Sequence, residues 1–156
     1  MTDLIYDDII HEGRPIRVTW RGSEFVPPRA LVTQASGVCF TEDGRVVLVT
    51  KDGSSWQLVG GHPEPGESIE QAFVREVVEE TRAKVLDLRY LGAQEVSDPG
   101  NSDGKSIYYQ ARFWGNRRGV WPNNRTKIRP YPISSRHRKK LCKRCDRMAL
   151  FCDRRS

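Results

Sequence analysis

A chain of 156 residues with 37% hydrophobic and 29% charged side chains has room for one folded domain with a real core, and not for two. It has no run of about 18 apolar residues, which excludes a membrane-spanning helix. Its four cysteines are too few and too unevenly placed for a disulfide scaffold, so a reducing cytoplasm is the expected setting. The net charge of +6 hides a division: residues 1–114 carry 12 basic and 18 acidic side chains, whereas residues 115–156 carry 14 basic ones against Asp146 and Asp153 alone. Such a reversal suggests two parts with different origins or different jobs.

In chain order, Met1 to Pro15 has neither a basic start nor an apolar run and does not read as a signal peptide. Arg14 to Phe25 reads as an extended piece interrupted at Arg21-Gly22, and Pro27-Pro28 breaks regular structure. Ala30 to Phe40 and Arg45 to Lys51 are predicted strands rich in valine. Thr41-Glu42-Asp43-Gly44 joins them as a hairpin with a loop slightly longer than two residues. Lys51 to Ser55 is a second polar turn, Trp56 to Val59 leads into Gly60-Gly61, and Pro63 to Gly66 is a loop. From about Glu67 to Arg82 the period changes. Ile69, Ala72, Phe73 and Val77 form one apolar stripe, which predicts a helix. Val85 to Val96 returns to a strand pattern, Ser97 to Lys105 is a loop, and Ser106 to Trp114 alternates with Ile107, Tyr109, Ala111 and Phe113 on one face. Several strands around one helix predict an α+β sandwich.

That helix has a second face. Glu76, Glu79 and Glu80 stand at i, i+3 and i+4, so their carboxylates emerge side by side. Three crowded like charges repel unless cations neutralise them. An arbitrary acidic helix face is usually just solvated, but hard divalent ions such as Mg²⁺ prefer carboxylate oxygens and share them with substrate phosphates.

The surroundings favour the metal reading. Gly61, five residues, Glu67, seven residues, then Arg75-Glu76-Val77-x-Glu79-Glu80 resembles the Nudix box, G-x5-E-x7-R-E-U-x-E-E-x-G-U, with U a bulky aliphatic residue. The flanking segment Trp56 to Glu67 is similar to that family's loop as well, and the resemblance reaches from about Ser36 to Trp114. It implies a Nudix-type α/β/α sandwich with a mixed sheet and a central catalytic helix. It also implies a hydrolase that cleaves a nucleoside diphosphate linked to another group, such as a nucleoside triphosphate or an ADP-ribose-like compound. The cofactor implied is Mg²⁺, with Mn²⁺ as a substitute. Glu79 and Glu80 would be the principal metal ligands with the carbonyl of Gly60. Glu76 would be a further ligand or the base that activates water. Arg75 would hold the glutamates by a forked pair that lysine could not imitate. Glu67 would bind or orient a metal-bound group, and Gly60 and Gly61 would let the backbone approach metal and phosphate.

The match departs from the family pattern at Arg82, where the family has glycine, at Ala83 for an aliphatic residue, and at Val59 for a frequent proline. If position 82 is left-handed, arginine there costs about 1 kcal/mol. Asp98-Pro99-Gly100 resembles a loop of ADP-ribose-cleaving members, or is an ordinary turn. Tyr108, Tyr109 and Trp114 could stack a base or belong to the core. Glu95, Asp98 and Asp103 are the acids available as an additional ligand.

The expected organisation is a catalytic domain over residues 1–114, its core from about residue 36, followed by a basic segment over 115–156. Leu141, Cys145, Met148, Ala149 and Cys152 allow a short closing helix. Cys142, Cys145, Cys152 and His137 could alternatively hold zinc. The basic run from Arg136 to Lys143 could bind RNA or be solvated, and the charge reversal could mark a shifted reading frame. The expected partner is a nucleotide-type small molecule, with RNA and a second copy as open alternatives and no membrane. The competing class is a nucleotide- or RNA-binding protein that kept the box and lost turnover. Intact Glu67, Arg75, Glu76, Glu79 and Glu80 argue against it.

Overall fold

The computed structural model describes residues 5–42, 44–118 and 127–131. Eight strands and one α-helix are found among them. The strands are β1 (Tyr6–His11), β2 (Arg14–Gly22), β3 (Val32–Phe40), β4 (Val46–Thr50), β5 (Val59–Gly61), β6 (Lys84–Ser97), β7 (Ile107–Arg118) and β8 (Lys127–Tyr131), and the helix is α1 (Ile69–Thr81). The sheet runs β1-β2-β6-β7-β3-β4-β8, with β5 paired to β3. Among the described strands β3 and β7 pair in parallel and the other pairings are antiparallel. The architecture is therefore α+β with a mixed sheet. No described helix is long and apolar enough to cross a membrane.

The apolar stripe of α1 explains where the helix sits. Ile69, Ala72, Phe73 and Val77 are all buried, and Phe73 stacks on Phe113 of β7 with ring centroids 5.0 Å apart. Both rings are wholly enclosed, each contributing about 1.5–3 kcal/mol by leaving water. Val32, Ala35, Cys39, Val47, Val49, Val59, Ala93 and Ala111 complete this core. The helix begins two residues later than the periodicity suggests. Ser68 is extended; its hydroxyl accepts a hydrogen bond from the Gln71 N–H and its own N–H donates to Gln71 Oε1, forming a capping box. Glu67 is thereby left just outside the helix. At the other end Arg82 adopts φ 56, ψ 21, so the condition under which arginine is strained at this position is met, and its N–H reaches the Val78 carbonyl.

The hairpin between β3 and β4 has the expected longer loop, closed by hydrogen bonds between Thr41 and Arg45. At the chain's beginning the structure adds a strand that the sequence did not suggest. β1 pairs with β2 through a two-residue turn at Glu12-Gly13, both at positive φ. Asn-Gly or Asp-Gly would have announced such a turn; Glu-Gly does not. β6 and β7 are also longer than predicted. β6 carries bulges near Leu86 and Leu91, which break its alternation. β7 continues past Trp114 to Arg118, and β8 pairs with β4, so strand structure extends into the basic segment. The anticipated helix over Leu141 to Cys152, the zinc set Cys142, Cys145, Cys152 and His137, and the basic run Arg136 to Lys143 lie outside the described residues.

Candidate active site

The box residues converge on β5. Val59 is buried in the core, which fixes this short strand and sets Gly60 opposite Ser36 and Gly61 opposite Ala35 of β3. The Gly60 N–H donates to Glu80 Oε2 at 3.1 Å. Gly60 has φ 149, and a Cβ there would meet the Ala35 carbonyl at 2.4 Å. A Cβ on Gly61 would lie 2.1 Å from Glu76 Oε1. Glycine at these two positions is what lets two carboxylates of α1, one turn apart, come against a backbone edge.

Arg75 organises the rest. Its Nε and Nη2 donate to the two oxygens of Glu67 at 2.8 and 3.2 Å. Nη1 donates to Glu76 Oε1 at 2.9 Å and more weakly to Glu79 Oε2 at 3.3 Å, and Nη2 also reaches the His62 carbonyl at 3.0 Å. One planar guanidinium thus joins three of the box carboxylates. Glu67 also accepts from the Glu64 N–H. These contacts, the Arg75 fork first, hold its carboxyl below the usual glutamate range, and the same partner raises Arg75 further. Arg29 ties down the loop by donating to the carbonyls of Glu67 and Glu64, both at 2.8 Å. Arg29 is a supporting residue without a signal in the sequence, because its partners are backbone atoms.

Glu80 differs from its neighbours. It is half-buried, and loss of water raises its pKa against the counter-effect of the Gly60 N–H, with Glu76 and Glu79 adding repulsion. Glu79 is the most open, at 58% exposed against 15% for Glu76. Among the described residues no three histidine, cysteine, aspartate or glutamate side chains gather tightly enough to hold a metal ion. The reason is visible in the geometry: Arg75 draws Glu67, Glu76 and Glu79 to itself, while Glu80 leans on Gly60. The donor set nevertheless suits Mg²⁺ or Mn²⁺. It consists of hard oxygens, and Mg²⁺ is commonly bound through one or two carboxylates plus waters and substrate phosphates.

The secondary candidates are mostly engaged elsewhere. Glu95 is held by Arg21 at 3.0 Å and by the Tyr109 hydroxyl. Tyr109 is a core residue, with its ring 5.3 Å from Phe25. Asp98, almost fully buried, accepts from the Gly100 N–H and from Arg14, which also donates to the Gly100 carbonyl. Asp98-Pro99-Gly100 is a braced turn. Asp103 is exposed in the same loop. Trp114 packs against Phe40 and under Arg89.

Comparison with known proteins agrees with this geometry. The family model of the NUDIX domain matches residues 31–128, more than half of the chain. Over 66 residues the chain is 38% identical to the Bacillus subtilis protein named "Putative 8-oxo-dGTP diphosphatase YtkD", covering 42% of each. It is 30% identical over 124 residues to the Homo sapiens protein nucleoside diphosphate-linked moiety X motif 6, covering 74% of this chain and 33% of that one. The chain spans less than half the length of either relative. Among solved structures, a mutant of the Bacillus subtilis pyrophosphohydrolase BsRppH superposes with a TM-score of 0.63 at 18% identity. That match covers 94% of this chain and 99% of that one. At that identity the likeness concerns the fold.

Proposed function

The chain belongs to the Nudix family, and on that basis we propose that it is a divalent-metal-dependent hydrolase of nucleoside diphosphate derivatives. Its substrate would be a nucleoside triphosphate or an ADP-ribose-like compound, cleaved at a pyrophosphate bond by water. The observation that carries this reading is the Arg75 fork. An acidic helix face that was merely solvated would have no need of a guanidinium bonded to Glu67, Glu76 and Glu79 together.

In this reading Glu79, Glu80 and the Gly60 carbonyl would hold the metal ion, with Glu67 and Glu76 available as further oxygen donors. A bound Mg²⁺ or Mn²⁺ supplies charge neutralisation on the phosphates and lowers the pKa of a nearby water. The protein's part is positional. Arg75 keeps Glu67 ionised and holds the carboxylates of Glu67 and Glu76 in place, and Gly61 leaves space for the Glu76 carboxylate beside the backbone. Glu76 then takes the proton of the attacking water. Burial pushes Glu80 toward its neutral form, a cost that a cation held there would offset.

The test is a screen for release of phosphate or nucleoside phosphate. It covers nucleoside triphosphates, 8-oxo-dGTP, ADP-ribose, dinucleoside polyphosphates and nucleotide sugars with Mg²⁺. Hydrolysis of at least one class, lost on chelation and restored by Mg²⁺ or Mn²⁺, is expected. Full turnover after exhaustive chelation would refute the mechanism.

A further inference from the structure

β1 ends the sheet: it pairs with β2 on one side, and no described strand lies on the other. Which of its backbone groups look outward follows from that pairing. The Trp20 N–H donates to the Ile5 carbonyl at 2.8 Å, one step beyond the Tyr6–Thr19 pair. Bonding alternates along an antiparallel strand, so Asp7, Ile9 and His11 turn their N–H and C=O toward β2, while Asp8 and Ile10 turn theirs away. An open edge is a template for another strand, and proteins usually blunt one with lysine, proline, a bulge or a covering element. β1 has no lysine or proline, and its register with β2 runs unbroken from Tyr6 to His11. Ile9 is 42% and Ile10 72% exposed. The charge of Asp8 is answered within the chain, by two donors of Arg17 at 2.7 and 2.9 Å.

The residues of the strand indicate what fits against it. A second β1, running antiparallel about a two-fold axis at Ile9, sets Ile9 against the partner's Ile9, Asp8 against the partner's Ile10, and Asp7 against the partner's His11. Ile9 stands opposite the buried Ile16 of β2, so the isoleucines of both copies form one apolar row across the junction. Asp8 and the partner's Ile10 exchange their outward N–H and C=O groups, and the His11 imidazole donates to the partner's Asp7 carboxylate. Neighbouring registers fail on charge. An axis at Asp7 or Asp8 opposes aspartate to aspartate, and one at Ile10 opposes Asp8 to Glu12. The edge is complementary to itself in the register centred on Ile9.

We propose that the outer edge of β1 is an interface between two copies of this chain, which join through antiparallel β1 strands into one continuous sheet with Ile9 on the axis. Main-chain hydrogen bonds supply the attraction, and the Asp7–His11 pairs fix the register. The box is not part of this contact. β5 docks on β3, which lies across β2, β6 and β7 from β1, so substitutions at the edge leave the box residues in place.

The test is sedimentation equilibrium of the full chain over a range of concentrations, without nucleotide. A reversible dimer is expected. Ile10→Pro removes an outward N–H that β2 does not use, so Tm should hold while the dimer's Kd rises about tenfold or more. His11→Asp should also weaken the dimer, and the exchange of both residues, Asp7→His with His11→Asp, should restore it. Ile9→Cys sets two thiols across the axis at a non-hydrogen-bonded pair, where Cα atoms lie about 4.5 Å apart and a disulfide can close. Mild oxidation should then give a covalent dimer well above the wild-type level, a readout that stands even if Ile10→Pro fails to fold. A monomer at every concentration would overturn the proposal and leave the edge to a different protein. A dimer indifferent to Ile10→Pro, or no added disulfide in Ile9→Cys, would overturn it by moving the contact to another surface. Failure of the exchanged pair to restore the dimer would overturn the register.

Discussion

Arg82→Gly isolates one backbone conformation. Arg82 ends α1 at φ 56, ψ 21, and its side chain is exposed. Left-handed backbone costs an L-residue about 1–2 kcal/mol. Glycine escapes that strain but has a freer unfolded chain, which returns about 0.4–1 kcal/mol. The net gain is about 1 kcal/mol, or a rise of about 2–4 °C in Tm for a chain of this size. Thermal melts of wild type, Arg82→Gly and Arg82→Ala decide the matter. Alanine retains the Cβ, so it should melt like wild type while glycine melts higher. An equal rise with alanine would move the effect to the arginine side chain. A lower Tm for glycine would show that the side chain makes contacts worth more than the strain, and would refute the reasoning.

Glu80→Gln and Glu79→Gln keep size and lose charge, so turnover should fall by about two orders of magnitude or more. Intact melting with near-normal turnover in both would remove them from the site. Arg75→Lys cannot span Glu67, Glu76 and Glu79 together. It should cost about 10–100-fold in turnover and raise the Mg²⁺ concentration needed for half-maximal rate, and an unchanged Mg²⁺ profile would count against the fork. Gly61→Ala places a methyl where Glu76 Oε1 lies 2.1 Å away. The carboxylate must swing aside, so kcat should drop while Tm changes little. Asp52 accepts from the N–H groups of Ser55 and Ser54 and from the Thr50 hydroxyl, which holds its pKa far below the ordinary 3.8. A depressed aspartate stabilises the fold above its unfolded pKa, and the benefit fades as pH falls below about 4. Denaturant melts at pH 7 and 3 should therefore differ less in Asp52→Asn than in wild type.

The box was legible because its chemistry demands fixed spacing within one loop and helix, and local geometry is what a sequence records best. Position 82 was marked in the sequence only as a departure from the family's glycine, and its left-handed backbone had to come from the structure. The residues that are hidden in the sequence share a different property. Arg112 falls between Ala111 and Phe113 on the polar side of an alternating strand, where the pattern reads as solvent. Only the pairing of β7 with β3 and β6 encloses it with Gln34 and Gln94. β1 was missed because every side chain in it is exposed, leaving no alternation to detect. Glu95 and Asp98 looked free because their partners, Arg21 and Arg14, lie more than seventy residues away in the chain.

The parallel pairing of β3 with β7 has a kinetic meaning. β3 and β7 can lie side by side only after the chain between Phe40 and Ile107 has been gathered into one closed loop. That loop contains β5, α1 and every residue of the box. Closing it costs entropy before the central contacts form to repay it, which places folding in the slow, long-range regime of about milliseconds to seconds. Glu76 and Glu80 meet Gly61 and Gly60 only when β5 has docked on β3. In a refolding experiment, regained hydrolysis should therefore track completion of the sheet and not the earlier appearance of helix.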